Sequence, residues 1–87
     1  MKSEEPECKR LVPLSELPSG EVGIVEAIYG GRRVLERLSS LGITVGTEIS
    51  VIQNAFVGPV LINVRDVRVA IGRGMAREIL IRAKGSR

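Results

Sequence analysis

The sequence contains no histidine and no tryptophan, and it has a single cysteine and only two aromatic residues, Tyr29 and Phe56. Without histidine the chain lacks the usual general base and the commonest metal ligand in proteins. Its serines therefore have no imidazole to activate them, and no Ser-x-x-Lys arrangement offers another base. The sequence accordingly predicts a protein that is not an enzyme.

The lone Cys8 cannot form a disulfide within the chain, and no N-terminal run has the apolar length of a secretory signal. We therefore expect a cytoplasmic location. The longest uncharged stretch, Ile49–Val64, is interrupted by Gly58 and Pro59, whereas a membrane-spanning helix needs ~20 mostly apolar residues. This stretch is better explained as a hairpin, and we expect no insertion into a membrane.

Potential metal ligands are concentrated in one place, near the N-terminus. The group consists of Glu4, Glu5, Glu7 and Cys8. A transition-metal site needs clustered His or Cys or several converging carboxylates, and this spacing suits none of the usual arrangements. We interpret the group as part of a solubilising tail, and we predict no cofactor and at most a weak contact with a metal ion.

A chain of 87 residues has room for one domain with one core, filled here by Val, Ile and Leu. Alternation of these residues predicts five strands. The predicted strands are Glu21–Ile28, with a bend or bulge at Gly23, then Glu48–Gln53, Val60–Val64, Val67–Ile71 and Ile79–Arg82. We predict an all-β fold with short helices, in the form of a small five-stranded barrel. Flexible tails are expected at residues 1–10 and 84–87, flanking a domain at residues 11–83.

One helix is predicted after the first of these strands. Its apolar positions recur at helical spacing, and Gly42 follows as a C-cap; the positions are Val34, Leu35, Leu38 and Leu41. Leu14 and Leu17 are three residues apart, which indicates a single turn that Pro18 ends. Two glycine pairs, Gly30-Gly31 and Gly72-Arg-Gly74, are interpreted as turns that need positive φ rather than as weak anion-binding loops.

The net charge is +3, and it is unevenly distributed: residues 1–48 carry −2 and residues 49–87 carry +5. Small barrels that bind single-stranded nucleic acid combine basic residues with exposed aromatic residues, of which this chain has few. We interpret the arginines of the second half as the solvated side of a sheet and expect no nucleic-acid partner, with RNA binding as an alternative; they are Arg65, Arg68, Arg73, Arg77 and Arg82.

The two aromatic residues lie at corners of the predicted fold. Phe56 lies in the loop Asn54–Pro59, and Tyr29 lies between a strand and two glycines. Each side chain can either fold back onto the barrel or remain exposed as an anchor for a protein partner. The residues alone leave both alternatives open.

The spacing of leucines and glycines resembles the FeoA family of ferrous iron transport proteins from about Leu11 to Ala83. The specific segments are Leu14-x-x-Leu17-x-x-Gly20, Val25-x-x-Ile28-x-Gly30-Gly31 and Arg37-Leu38-x-x-Leu41-Gly42-Ile43-x-x-Gly46. The resemblance continues through Gly58-Pro59-Val60 and Val69-Ala70-Ile71-Gly72-Arg73 to Ala76-x-x-Ile79-x-Ile81. One departure is Arg65-Asp66, where this family commonly has a glycine-containing turn.

The resemblance implies an SH3-like barrel and a non-enzymatic role beside FeoB, a membrane transporter of ferrous iron with a GTPase domain. It also implies an alternative, a free-standing regulatory module related to the C-terminal domain of DtxR-type repressors. Four residues are predicted to contact a partner: Tyr29, Arg32, Arg37 and Phe56. Self-association is a further possibility, because small barrels have strand edges that can pair with a second copy.

Overall fold

The computed structural model describes residues 10–86. Six strands, two helices and one 3-10 turn follow one another along the chain. They are β1 (Arg10–Pro13), the 3-10 turn (Leu14–Glu16), β2 (Glu21–Ile28), α1 (Gly31–Ser40), β3 (Glu48–Gln53), β4 (Val60–Val64), β5 (Val67–Ile71), α2 (Arg73–Ala76) and β6 (Ile79–Ser86). The predicted N-terminal tail, with the exception of Arg10, lies outside the described residues, as does residue 87.

The all-β class with short helices is confirmed, and the structure contains one strand more than the five predicted. The additional strand, β1, has only four residues and ends at Pro13, so it is too short to show alternation. It pairs with β6 at the edge of the sheet, where a proline is tolerated. Strand β6 extends to Ser86, so residues 84–86 belong to the sheet and not to the predicted tail.

All strand pairs are antiparallel and form one sheet in the order β1-β6-β2-β3-β4-β5. Strands β2 and β6 are the longest and lie inside the sheet. Within residues 10–86 no pairing joins β1 to β5, so the sheet does not close into the complete five-stranded barrel that was predicted. Among the described strands, β1 and β5 are therefore the two edges of the sheet.

The core is built from alternate residues of the strands, as predicted. Strand β4 buries Val60, Ile62 and Val64, and its neighbours bury further Ile and Val side chains. The turn predicted from Leu14 and Leu17 is present, and both leucines are fully buried. None of the helices within residues 10–86 is long and apolar enough to cross a membrane.

Helix α1 buries less of its apolar face than its spacing predicts. Leu38 is fully buried and Val34 packs against the core, but Leu35 and Leu41 remain 45% and 41% exposed. Leu35 lies ~100° around the helix from Val34, and the helix ends at Ser40, before Leu41. The C-cap prediction is confirmed, because the residue after Leu41 is a glycine with φ of 88°.

The turn between β4 and β5 consists of Arg65 and Asp66, and both have positive φ, 51° and 67°. Two such residues between paired strands form a type I′ turn, for which Asn-Gly is the favoured sequence. A side chain in this conformation costs roughly 1–2 kcal/mol per residue when the residue is not glycine. The departure from the glycine-containing family turn is thus accommodated by two strained residues.

We expect the double substitution Arg65→Asn with Asp66→Gly to stabilise the fold. The relief of backbone strain should contribute about 1 kcal/mol, which raises the Tm of a domain of this size by roughly 4–8 °C. Thermal unfolding followed by circular dichroism measures the shift. Substitution of the exposed Val67 by Thr, which leaves the turn unchanged, serves as a control, and an equal Tm for both variants would contradict the turn assignment.

Candidate protein-interaction surface

The loop between β3 and β4 begins with a buried amide side chain. Asn54 is only 5% exposed, and its Nδ2 donates hydrogen bonds to the carbonyl oxygens of Ser15 (3.0 Å) and Leu17 (2.8 Å). Its backbone N–H donates to Oγ of Ser19 over 2.9 Å. These bonds fasten the start of the loop to the 3-10 turn and the segment that follows it.

The side-chain oxygen of Asn54 also accepts two hydrogen bonds. Oδ1 of Asn54 accepts hydrogen bonds from the backbone N–H of Phe56 (2.9 Å) and from Nη2 of Arg73 (2.7 Å). Arg73 additionally donates from Nε to the Gly58 carbonyl and from Nη1 to the Ser15 carbonyl, each over 2.9 Å. Both donors and both lone pairs of the Asn54 amide are therefore satisfied. The guanidinium of Arg73 connects the loop to α2 through these hydrogen bonds.

This network bonds to the backbone on both sides of an exposed apolar tip. Phe56 and Val57 are 57% and 74% exposed, so the aromatic ring does not fold back into the core. Phe56 has φ of 64°, a conformation that costs a non-glycine residue of order 1 kcal/mol or more. Strained residues cluster at functional sites, so the exposed ring of Phe56 makes this loop a candidate contact site.

Tyr29 and Arg32 lie at the start of α1. The backbone N–H of Tyr29 donates to the Glu78 carbonyl over 2.7 Å, while its ring is 58% exposed. Gly30 follows with φ of 101° as the residue before the helix, which confirms the predicted positive-φ turn. Arg32 is exposed in the first turn of the helix. The same interpretation was wrong for Gly72, which has φ of −58° and precedes α2 in an extended conformation.

Arg37 lies near the other end of α1, beside strand β5. It lines a groove of about 990 Å³ together with Leu41, Val67 and Met75. The four predicted contact residues are thus all exposed, but the structure separates them into the start of α1, the end of α1 and the β3–β4 loop.

Two residues that organise this surface, Asn54 and Arg73, are absent from the predicted contact residues. The sequence places Asn54 in a loop and predicts Arg73 as one of the solvated arginines. The latter interpretation was wrong for Arg73, which donates to three different acceptors, and Arg82 is paired with Glu26 over 3.2 Å. The one local signal was an Asn two residues before Phe56, a spacing typical of a side chain that accepts from the backbone two residues further on.

No group of three or more His, Cys, Asp or Glu side chains that could hold a metal ion occurs in the part of the chain that the structure describes. The acidic group considered from the sequence, Glu4, Glu5, Glu7 and Cys8, lies outside the described residues.

The chain forms a small β-sheet module with an exposed apolar tip on the loop between β3 and β4. A family model described as the FeoA domain matches residues 12–83. A relative from Methanocaldococcus jannaschii has the name Fe(2+) transport protein A. It is 39% identical over 71 residues, which cover 82% of this chain and 85% of that protein. The chain therefore belongs to the FeoA family.

Solved structures agree with this assignment. A crystal structure of an iron uptake regulatory protein, FeoA, is 42% identical with a TM-score of 0.79, covering 85% of this chain and 97% of that one. The zinc complex of Stenotrophomonas maltophilia FeoA, described as an SH3 domain protein, is 26% identical with a TM-score of 0.67 over 78% of this chain and 86% of that one. The SH3-like class is thus confirmed.

The fold extends beyond the family. A manganese-dependent transcriptional repressor is 21% identical with a TM-score of 0.77, covering 86% of this chain and 42% of that one. Identity at this level bears on the fold alone, so the likeness shows that the same architecture occurs as one module of a larger regulator.

Proposed function

We propose that this protein is a non-enzymatic accessory of ferrous iron uptake that docks on the cytoplasmic part of a FeoB-type transporter and modulates it. Membership of the FeoA family and the name of the M. jannaschii relative support the link to iron transport. The observation that carries the docking proposal is the exposed tip of Phe56 and Val57, held by the hydrogen bonds of a buried Asn54.

The physical reason is that a fixed loop loses little conformational freedom when a partner covers it. Ordering a loop and its side chains at an interface costs free energy, and the Asn54 and Arg73 bonds fix backbone groups on both sides of the tip before a partner binds. Aromatic residues that fill a partner's pocket provide a large share of the binding energy in many interfaces. Phe56 is the residue of this loop that fits that description.

The proposal includes no chemical turnover and places the protein in the cytoplasm. The chain would act by contact alone, consistent with a sequence that has no histidine. Hydrolysis of GTP or ATP by the purified protein above a blank would contradict this part of the proposal.

We expect Phe56→Ala to weaken binding to the soluble cytoplasmic domain of the cognate FeoB-type transporter at least ~30-fold, the effect of a central aromatic anchor. Tyr29→Ala tests the second exposed aromatic in the same way. Isothermal titration calorimetry or a quantitative pull-down measures the change. Leu11→Ala is a matched control, because Leu11 is 53% exposed on β1 and should change affinity less than ~3-fold.

The variant Phe56→Gly distinguishes a loss of binding affinity from a loss of stability. Because Phe56 has φ of 64°, glycine at this position should leave the Tm unchanged or raise it, while the affinity for the transporter domain falls as in Phe56→Ala. Wild-type affinity in both Phe56 variants would exclude this loop as the contact, and wild-type affinity in the Tyr29 variant as well would exclude both aromatic residues.

A further inference from the structure

Strand β5 forms a free edge of the sheet. It pairs with β4 on one side, and no other strand within residues 10–86 pairs with it. The two-residue turn makes Val64 and Val67 a hydrogen-bonded pair, so Val69 and Ile71 also direct their backbone groups towards β4. Arg68 and Ala70, which alternate with them, therefore direct their N–H and C=O groups away from the sheet.

A groove lies along this edge. Its floor is β5, and its wall is formed by the end of α1 and by α2, through Arg37, Leu41 and Met75. The groove has a volume of about 990 Å³, and Leu41 and Val67 are 41% and 59% exposed beside it. Extended peptides add as a further strand to a sheet edge with outward-directed backbone groups, and apolar side chains such as Leu41 and Met75 beside this edge offer contacts for the side chains of such a peptide.

The charged residues that line the groove determine which extended peptides it favours. Arg37 and Arg68 are both exposed in its lining, which contains no Asp or Glu among the described residues. Arg33 lies one turn before Arg37, and the two share a smaller adjoining pocket with Glu36 and Met75. The lining thus carries two positive charges without a compensating carboxylate, and it is complementary to an acidic segment.

We propose that the free edge of β5 and this groove bind an acidic, extended segment of a protein partner by strand addition. The partner backbone would pair with Arg68 and Ala70, its carboxylates would face Arg37 and Arg68, and its alternate apolar side chains would contact Leu41. This site is separate from the Phe56 loop and does not depend on the identity of the transporter. A second copy of the chain fits less well, because it would bring the same arginines towards each other.

The test uses the full chain, labelled with ¹⁵N, and a synthetic hexapeptide of alternating glutamate and valine. At saturation the peptide should slow amide hydrogen exchange at Arg68 and Ala70 by about tenfold or more, because these donors become bonded. The amide of Phe56, already bonded to Asn54, serves as an internal reference that should not change. The same peptide with alternate backbone nitrogens methylated, which keeps its charge and removes its donors, should bind at least ~10-fold more weakly.

Two pairs of variants assign the contacts. Ala70→Pro removes an outward N–H without breaking the β4 pairing and should reduce the affinity for the peptide about tenfold, whereas Ala70→Val keeps the N–H and should retain it. Arg68→Gln and Arg37→Gln should each weaken binding several-fold at low salt and less at high salt. Arg77→Gln, at an exposed position just after α2 and outside the groove lining, is the matched control and should have no effect.

Several results would overturn the proposal. These are absence of peptide binding up to millimolar concentration, equal binding of the methylated peptide, or equal affinity for a peptide with lysine in place of glutamate. Protection of the Arg68 and Ala70 amides in the free protein would show that the edge is already covered. Sedimentation velocity would then distinguish two explanations. A dimer would show that a second copy covers the edge, and a monomer would show that residues 1–9 of the same chain cover it.

Discussion

Replacement of Asn54 by alanine is expected to destabilise the protein by about 2–4 kcal/mol, which lowers the Tm by roughly 10–20 °C. The amide makes four side-chain hydrogen bonds in a buried position, and the substitution removes all of them. The carbonyl groups of Ser15 and Leu17 then lose a donor where water has little access, so each retains part of its desolvation cost. Thermal and urea unfolding measure the loss.

Two further substitutions distinguish the role of the amide from a general sensitivity of the loop. Gln53→Ala, at the exposed neighbouring position, should change stability by less than ~0.5 kcal/mol. Asn54→Asp keeps the acceptor for Phe56 and Arg73 but places a carboxylate oxygen against the carbonyl oxygens of Ser15 and Leu17, so it should cost at least as much as Asn54→Ala. If the alanine variants at 53 and 54 unfolded at the same temperature, the network would not stabilise the fold.

The network around Asn54 also shows what local sequence patterns do not encode. The amide of Asn54 bonds to a carbonyl 39 residues earlier in the chain, and Arg73 bonds to the same carbonyl across 58 residues. Periodicity reports which side of an element faces the core, and it contains no information about which distant loops meet. The prediction for Arg73 followed its spacing among other arginines, and the position of α2 against the loop overrode it.

The strands were predictable because each contributes alternate Ile and Val residues to one core. Ile49 and Val51 of β3 are buried between exposed or half-buried neighbours, as their alternation indicates. The position of helix α1 in the chain was predicted, but the burial of its apolar residues was not. The exposure of Leu35 and Leu41 depends on how far the helix extends over the sheet. Exposure of Phe56 was one of two alternatives left open by the sequence, and only the Asn54 contacts decide between them.

The groove beside Arg37 depends on topology in the same way. Arg37 was predicted as a contact residue, but its neighbours Arg68 and Val67 lie on a strand about thirty positions later. Their proximity follows from the place of β5 at the end of the sheet order. The candidate site is therefore a property of the assembled sheet, and the sequence predicted its members without predicting their arrangement.

The second large effect is expected at Gly23, where β2 and β6 approach closely. A Cβ atom at this position would collide with Cγ2 of Ile81 and would lie 3.0 Å from the Arg82 carbonyl oxygen. The register shift beside Gly23 confirms the predicted bulge. Because the site is buried and one obstacle is backbone, Gly23→Ala should cost about 1–3 kcal/mol, which urea unfolding would detect.

A double-mutant cycle tests whether the side chain of Ile81 is what excludes a Cβ atom at position 23. Ile81 is fully buried, so Ile81→Ala alone should cost about 2–5 kcal/mol, but it also removes the Cγ2 atom that opposes a Cβ at Gly23. The combined cost should therefore fall short of the sum by about 1 kcal/mol or more, the remainder reflecting the Arg82 carbonyl. Full additivity would show that Ile81 is not the residue that requires glycine at position 23.

The matched control for this cycle is Gly72→Ala. A Cβ at Gly72 would have nothing within 4 Å, and φ of −58° suits any residue. Alanine should therefore leave the stability unchanged or raise it by about 0.4–1 kcal/mol, because it restricts only the unfolded chain. Opposite signs at Gly23 and Gly72 would establish that packing between β2 and β6, rather than the loss of glycine as such, determines the cost, whereas a loss at both positions would contradict this explanation.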